Sequence, residues 1–166
     1  IDATIPDVAR QPDGTLFVPA TAGDTDGDGL PDLWEKAYFP NDLTKLSGTG
    51  DYDQDGLTDR GEYDRNTDPT KADTDGDGLS DKVETNTNVF VNAGDTGSNP
   101  NKVDTDGDGL SDAAEVNGTP ATNPNRADSD SDSFSDSEEL AEGTNPNDAT
   151  DNPYSMVIAN SKAEFS

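Results

Sequence analysis

The chain has 166 residues and a net charge of −27, because 37 acidic residues stand against 10 basic ones. Only 28% of its residues are hydrophobic, which is typical of chains that bury too little apolar surface to offset the entropy of ordering. It contains no His and no Cys, which excludes the usual zinc, copper and iron–sulfur sites, and its acidity argues against nucleic acid as a partner. No segment has the length of apolar sequence that a membrane span requires.

The N-terminal segment, residues 1–23, is predicted to form a strand or hairpin. Asp13 and Gly14 give a turn signal before the β-prone run at residues 15–18. We expect this run either to pack locally on the nearest repeat or to join a neighbouring protomer by strand addition. Because the first residue is Ile1 rather than Met, we also expect that a leader was removed or that the chain is a fragment.

An acidic pattern of twelve residues follows and occurs five times between residues 24 and 148. Asp occupies positions 1, 3, 5 and 9, Glu occupies position 12, and an apolar residue occupies position 7. Such a loop offers the six to eight oxygen ligands that calcium takes, whereas magnesium prefers a smaller octahedral shell that retains water. The sequence therefore predicts at least five Ca²⁺ ions, in loops one to five, at residues 24–35, 51–62, 73–84, 104–115 and 128–139.

The predicted ligands are the side chains at positions 1, 3, 5 and 12, the backbone carbonyl at position 7, and the side chain at position 9, either directly or through water. They are Asp24, Asp26, Asp28, Leu30, Asp32, Glu35, Asp51, Asp53, Asp55, Leu57, Asp59, Glu62, Asp73, Asp75, Asp77, Leu79, Asp81, Glu84, Asp104, Asp106, Asp108, Leu110, Asp112, Glu115, Asp128, Asp130, Asp132, Phe134, Asp136 and Glu139. Position 6 has to turn sharply, which favours Gly. Loop five has Ser133 there, so we expect a working but weaker site.

A short helix is predicted to begin near position 9 of each loop, as at residues 33–38, 113–116 and 137–142, with Gly118 and Gly143 ending the last two. The segments between the loops are polar and contain Pro, which predicts turns. No amphipathic helix enters a loop. The paired helix–loop–helix arrangement of an EF-hand sensor is therefore not expected.

Few apolar residues occur between the loops. Trp34, Tyr38 and Phe39 are predicted to form a hydrophobic cap over the first ion site, with a ligand or glycan platform as the alternative. Residues 89–91 are predicted to be a short strand or part of an inserted hairpin, with local packing favoured over a partner site.

The C-terminal segment, residues 149–166, is predicted to carry a strand at residues 154–158. Like the N-terminal run, this strand is expected either to pack locally on the nearest repeat or to join a neighbouring protomer by strand addition. The predicted organisation is thus a repeat array at residues 24–148 between two terminal strand segments.

The units at residues 66–81 and 99–112 resemble bacterial thrombospondin type 3 repeats, because both the loop and the Pro-containing spacer fit. The resemblance extends over residues 24–148. It implies an extended ribbon, poor in helix and strand, that wraps calcium ions, often more than one per repeat. The expected fold is therefore mostly irregular: an elongated, calcium-stabilised array of EF-hand-like loops with short helices, plus short terminal β-strands.

The expected function is that of an extracellular calcium-binding structural protein, a spacer or fibre subunit made rigid by its ions. The alternative is a calcium-dependent adhesion or ligand-binding module of a larger surface protein. An enzyme is not expected, because the chain without His or Cys displays no pair of nucleophile and base. The expected partners are calcium ions and, through the terminal strands, further copies of the chain in a head-to-tail homopolymer. The expected location is outside a bacterial cell or on its surface.

Overall fold

The computed structural model describes residues 9–10, 16–17 and 23–155. It divides the chain into two compact units, Ile1–Thr74 and Asp75–Ser166. The described residues lie mostly in turns and irregular segments, with a few short helices. None of these helices is long and apolar enough to cross a membrane.

Each helix begins at position 9 of a loop. The first unit contains the two-residue strands β1 (Ala9–Arg10) and β2 (Leu16–Phe17) and the helices α1 (Asp32–Tyr38) and α2 (Asp59–Arg65). The second unit contains α3 (Asp112–Val116) and α4 (Asp136–Glu142). These bounds confirm the short helices predicted behind loops one, four and five. Loop three ends in a turn at residues 81–83 instead of a helix.

Position 8 of the loop starts the helix. The hydroxyl groups of Thr58, Ser111 and Ser135 accept a hydrogen bond from the backbone amide three residues later, which satisfies one of the free donors of the first turn. α4 ends at Gly143, in the left-handed region at φ 80°, as predicted. α3 ends at Val116, two residues before Gly118, with Asn117 as its C-cap.

The terminal strand predictions fall largely outside the described residues. β1 and β2 form an antiparallel pair in which Ala9 faces Phe17, and β2 lies within the predicted run at residues 15–18. In the predicted C-terminal strand, Tyr154 and Ser155 belong to a helical turn. The Ser155 amide and hydroxyl both donate to the Asn152 carbonyl, at 2.9 and 2.7 Å, and these bonds curl the chain instead of extending it. Residues 156–158 are not described.

A small apolar core lies in the first unit. Leu30, Trp34 and Leu46 are buried together, with Tyr38, Phe39, Leu33 and Tyr63 packed against them. The Trp34 ring meets the edges of the Tyr38 and Tyr63 rings at centroid distances of 5.3 and 5.5 Å. The predicted cap therefore joins α1 to α2. Because Trp34 is only 2% exposed, it offers no platform to a ligand.

The interior is otherwise polar. Among the described residues, nine apolar side chains are buried, four of them prolines, against fifteen polar or charged ones. Ten of these fifteen are the Asp at position 9 and the Glu at position 12 of the five loops. Buried carboxylates are costly unless they are paired, so the fold concentrates its unfavourable electrostatics in the loops.

The longest connection between loops runs over residues 85–103 in the second unit. It is an excursion that hydrogen bonds close into a loop. The Asn86 amide donates to the Ser98 carbonyl at 2.8 Å and the Thr96 amide donates to the Val83 carbonyl at 2.9 Å. Residues 89–91 lie in irregular chain beside an isolated bridge between Asn92 and Asp95. The predicted strand at residues 89–91 is thus wrong, although the excursion does return on itself as a hairpin would.

Candidate metal centres

A backbone hydrogen bond closes each of four loops. The amide of the position 9 Asp donates to the carbonyl of the residue just before the loop, as from Asp32 to Gly23 at 2.8 Å and from Asp112 to Val103 at 2.9 Å. Asp59 and Asp136 make the same bond, to Gly50 and Ala127. This bond bends the chain into a ring, so the intervening acidic residues face a common centre.

The position 1 Asp organises the first half of the ring. In loop four, Asp104 accepts hydrogen bonds from the Gly107 amide at 2.6 Å and from the Gly109 amide at 3.0 Å. In loop five, Asp128 accepts from the Ser131 and Ser133 amides in the same way. Positions 4 and 6 must therefore both turn inward, and both have positive φ in every loop.

Three carboxylates meet in each loop. One oxygen from each Asp at positions 1, 3 and 5 lies within 4.8 Å of the other two. Three negative charges at this spacing repel one another strongly unless a cation lies between them. The clusters are Asp24, Asp26 and Asp28; Asp51, Asp53 and Asp55; Asp73, Asp75 and Asp77; Asp104, Asp106 and Asp108; and Asp128, Asp130 and Asp132.

The two oxygens of the carboxylates at positions 3 and 5 have different surroundings. One oxygen accepts a bond from a loop amide: Asp106 Oδ1 accepts from the Asp108 amide at 3.1 Å, and Asp28 Oδ1 accepts from the Leu30 amide at 2.8 Å. The second oxygen is buried and has no hydrogen-bond partner among the described residues in Asp28, Asp53, Asp106, Asp130 and Asp132. A buried anionic oxygen without a donor is unfavourable, and a coordinated cation removes that cost.

The position 12 glutamates lie inside the loops. All five are buried: Glu35, Glu62, Glu84, Glu115 and Glu139. Within the part of the chain that the structure describes, neither carboxylate oxygen of Glu35 has a hydrogen-bond partner, and Oε2 lacks one in Glu115 and Glu139. Burial, reinforced by neighbouring aspartates, raises the pKa of Glu115 to about 9 and that of Glu139 to about 7. An ionised Glu is therefore unfavourable in these loops unless a positive charge accompanies it.

The Asp at position 9 stabilises the ring by accepting hydrogen bonds from the residue at position 2. Asp32 accepts from the Thr25 amide at 2.7 Å and from the Thr25 hydroxyl at 2.6 Å, so both of its oxygens are engaged. These bonds lower the pKa of Asp32 to about 2. Because its oxygens are engaged, position 9 is better placed to act through water than to bind an ion directly. The same two contacts join Thr105 to Asp112 and Ser129 to Asp136.

The position 5 Asp also links successive loops in the second unit. Asp77 Oδ2 accepts from the Ala113 amide at 2.7 Å, in the first turn of α3. Asp108 Oδ2 likewise accepts from the Ser137 amide at 2.9 Å, in the first turn of α4. A carboxylate near the start of a helix is favourable because the amides there have no partner within the helix. Each link therefore connects the aspartate cluster of one loop to the helix that begins in the next loop.

Sequence reasoning missed two features of these centres. It did not assign the hydroxyl at position 2, which braces the ring, and it did not assign position 4, where Gln54 and Ser131 adopt φ 66° and 70°. The signal was present, because Thr or Ser recurs at position 2 in four loops and Gly recurs at position 4 in three. Neither residue type is a charged ligand, so a search for ligands passes over both.

The donor set fits a hard cation. It consists of carboxylate oxygens on a ring with some buried oxygens left without donors, and oxygen-rich rings of this kind suit Ca²⁺. A bound Ca²⁺ supplies positive charge to the centre, and the chain supplies the ring that holds the oxygens at a fixed spacing.

A comparison with protein families gives one match. The model of the bacterial TSP3 repeat, that is the thrombospondin type 3 repeat, matches residues 24–38, 51–72, 73–88, 104–127 and 128–149. The matched segments begin at the first residue of each of the five loops and include more than half of the chain. Neither the curated proteins nor the solved structures that were compared give a match. The chain belongs to the bacterial TSP3 repeat family and is a calcium-binding repeat protein.

Proposed function

We propose that the chain is an extracellular structural protein whose five loops each bind at least one Ca²⁺, and that the ions hold it as a stiff spacer or fibre subunit. The observation that carries this proposal is the set of buried carboxylate oxygens that have no donor among the described residues, found at the aspartate clusters of loops one, two, four and five. Outside cells, calcium is abundant enough to fill sites with dissociation constants of about 10⁻⁴ to 10⁻³ M. A protein that relies on weak calcium sites for its fold is suited to that environment.

The number and identity of the ions are tested by counting them. Native mass spectrometry after equilibration in 1 mM calcium is expected to give at least five bound Ca²⁺ per chain. Magnesium at the same concentration is expected to occupy fewer loops, because its smaller octahedral shell retains water. Fewer than five calcium ions, or equal filling by magnesium, would contradict the proposal.

The role of position 12 is tested at Glu115. We propose that this Glu closes its site by chelating the ion with both oxygens, so Glu115→Gln is expected to remove one tightly bound ion. Glu142→Gln is the matched control, because Glu142 is exposed at the end of α4 and lies outside the twelve-residue pattern. Equal calcium stoichiometry and affinity in the two variants would refute the ligand assignment.

Adhesion is the alternative function. It is favoured by Val89 and Val91, which are 59% and 60% exposed on the excursion between loops three and four. Apolar side chains on such an acidic surface suit a binding partner better than solvent. Replacing both by Ser is expected to leave calcium binding unchanged in either case. Loss of attachment of the intact chain to cells or matrix in that variant would favour adhesion over the spacer.

A fibre subunit additionally needs contacts between chains. We propose that the terminal segments supply them in a head-to-tail arrangement. Deletion of residues 154–166 is then expected to abolish end-to-end association, seen by electron microscopy in calcium, and to leave the number of bound ions unchanged. Fibres that persist in the deletion variant would exclude this mode of assembly and leave the calcium loops unaffected.

A further inference from the structure

A hydroxyl residue recurs in the spacers, two residues before a Pro. It is Thr67, Ser98, Thr122 or Thr144, followed by Asp or Asn and then Pro. All four side chains are buried. Ser and Thr are usually exposed and are buried when they have hydrogen-bond partners. The Thr67 hydroxyl has no hydrogen-bond partner among the described residues, whereas the other three hydroxyls each have one.

Three of these hydroxyls contact the position 12 Glu of the preceding loop. Ser98 Oγ donates to Glu84 Oε1 at 3.0 Å. Thr122 Oγ1 donates to Glu115 Oε1 at 3.1 Å, and the Thr144 and Glu139 side chains make the same contact at 3.3 Å.

The backbone strengthens this contact. The Thr122 amide donates to the Glu115 carbonyl at 3.1 Å, and the Thr144 amide donates to the Glu139 carbonyl at 3.0 Å. Glu and Thr are therefore joined at two points, through the main chain and through the side chains. The hydroxyl has little freedom to leave the carboxylate.

The contact does not follow from closeness in sequence. The hydroxyl lies 14 residues after Glu84, 7 residues after Glu115 and 5 residues after Glu139. In loop three the excursion closes on itself, and Thr96 also bonds to Ser98 through the two hydroxyls at 2.7 Å. Three connections of different length thus place a hydroxyl against the equivalent oxygen, Oε1, of the position 12 Glu.

We propose that Ser98, Thr122 and Thr144 are positioning residues that fix the carboxylate plane of the position 12 Glu for calcium; this rests on the proposed role of that Glu as a ligand. The hydroxyl engages Oε1, and Oε2 of Glu115 and Glu139 has no donor among the described residues. Without the hydroxyl, the carboxylate loses a donor that fixes its plane, and ordering that plane then costs part of the free energy of ion binding. Loop one provides a natural contrast, because both Glu35 oxygens lack a donor among the described residues.

The test compares Thr122→Val with Thr122→Ser in the full chain, titrated with calcium against a chromophoric chelator. Val keeps the shape and removes the hydroxyl, so it is expected to weaken one site about tenfold, as is usual when a group that orients a metal ligand is lost. Ser keeps the hydroxyl and is expected to stay within about twofold of the parent chain. Thr150→Val is the matched control, because its hydroxyl donates to Asp148, an exposed carboxylate outside the loops, at 2.7 Å.

The same changes made in Glu115→Gln separate positioning from ligation. If Thr122 acts through Glu115, Thr122→Val adds no further loss of calcium affinity in that background. A loss of affinity in Glu115→Gln with none in Thr122→Val overturns the positioning role alone. No loss in Glu115→Gln overturns the ligand role of Glu. Should Thr122→Val fail to fold in saturating calcium, as seen by circular dichroism, the pair Thr144→Val and Thr144→Ser decides by the same criteria.

Discussion

Ser133 occupies position 6 of loop five at φ 84°, where the other four loops have Gly at φ 94° to 110°. Residues with a Cβ are strained at such angles. The Ser133 amide still donates to Asp128 at 2.9 Å, so the loop keeps its geometry and bears the strain. Position 6 is therefore a point at which a single residue sets the affinity of a site.

Replacing Ser133 by Gly is expected to tighten calcium binding in loop five. Relief of strain, less the entropy that Gly loses on ordering, leaves about 0.5 to 1 kcal/mol, which is roughly two- to fivefold in dissociation constant. Gly109→Ser, at the same position of loop four, is expected to weaken its site by a similar factor. Competitive calcium titration of both variants measures this, and effects of the same sign in the two would contradict it.

If the position 12 glutamates are calcium ligands, as proposed, calcium binding is expected to depend on pH. Burial and neighbouring aspartates raise the pKa of Glu35 and Glu139 to about 7 and that of Glu84 and Glu115 to about 9. A carboxylate whose pKa is raised by folding stabilises the ion-free fold as the pH falls below that pKa. It destabilises the ion-free fold as the pH rises. Calcium requires the ionised form, so protons compete with it.

Calcium affinity is therefore expected to fall between pH 8 and pH 6. The fall is about tenfold for loops one and five, where the pKa is near 7, and larger for loops three and four. Addition of calcium to an unbuffered solution at pH 7 should also release protons. Equal affinity at the two pH values with no release of acid would show that these glutamates are not ligands.

At the scale of the element, a loop and its helix are one unit. Position 8 starts the helix, position 9 closes the ring, and position 12 turns back into the ring from the first turn of the helix. In α4, the Ser135 hydroxyl accepts from the Glu138 amide while the Glu138 carboxylate accepts from the Ser135 amide, which forms a capping box. Stability of the cap is therefore part of the free energy of ion binding.

Ser135→Ala is expected to weaken calcium binding in loop five. Loss of a hydroxyl N-cap costs typically about 1 kcal/mol, which corresponds to about fivefold in dissociation constant. Glu138→Gln serves as control, because Gln also completes a capping box and its loss of charge lies outside the ring. Competitive titration with calcium measures the dissociation constant of loop five in each variant. Similar losses in both variants would mean that charge, and not the cap, governs the site.

At the scale of the whole molecule, we propose that the ions take the place of a hydrophobic core. The described interior holds mainly carboxylates, and its apolar cluster consists of Leu30, Trp34 and Leu46 in the first unit. An ion present at a hundred times its dissociation constant adds about 2.7 kcal/mol of stability. Several such ions contribute as much as the entire stability of an ordinary domain.

Exhaustive chelation is therefore expected to unfold the chain. Trp34, the single Trp, is buried, so its fluorescence should shift to the red in chelator and return on addition of calcium. Limited proteolysis monitors the folding of the second unit. This unit should be cut rapidly in chelator and should resist cleavage in 1 mM calcium. Unchanged fluorescence and an unchanged cleavage pattern after chelation would mean that the fold does not depend on its ions.

The sequence by itself determined the five loops and the helices that begin in four of them. The twelve-residue register fixes which carboxylates meet, and a cap followed by a short helix depends on neighbours in the chain. The start of α4 at Asp136 and its end at Gly143 follow from such local rules. The turn at Tyr154 and Ser155 was missed. The sequence analysis used the β-propensity of this run, whereas the structure forms the turn through hydrogen bonds from Ser155 to Asn152.

Only the tertiary structure decided what holds the loops in place. Thr122 reaches Glu115 and Asp108 reaches Ser137 across 7 and 29 residues, and no local pattern specifies such pairs. The turn that ends loop three likewise accompanies the excursion that brings Ser98 back to Glu84. A repeat pattern determines which residues form each site. The contacts between segments determine how firmly each site is held, because hydrogen bonds form between neighbours in space.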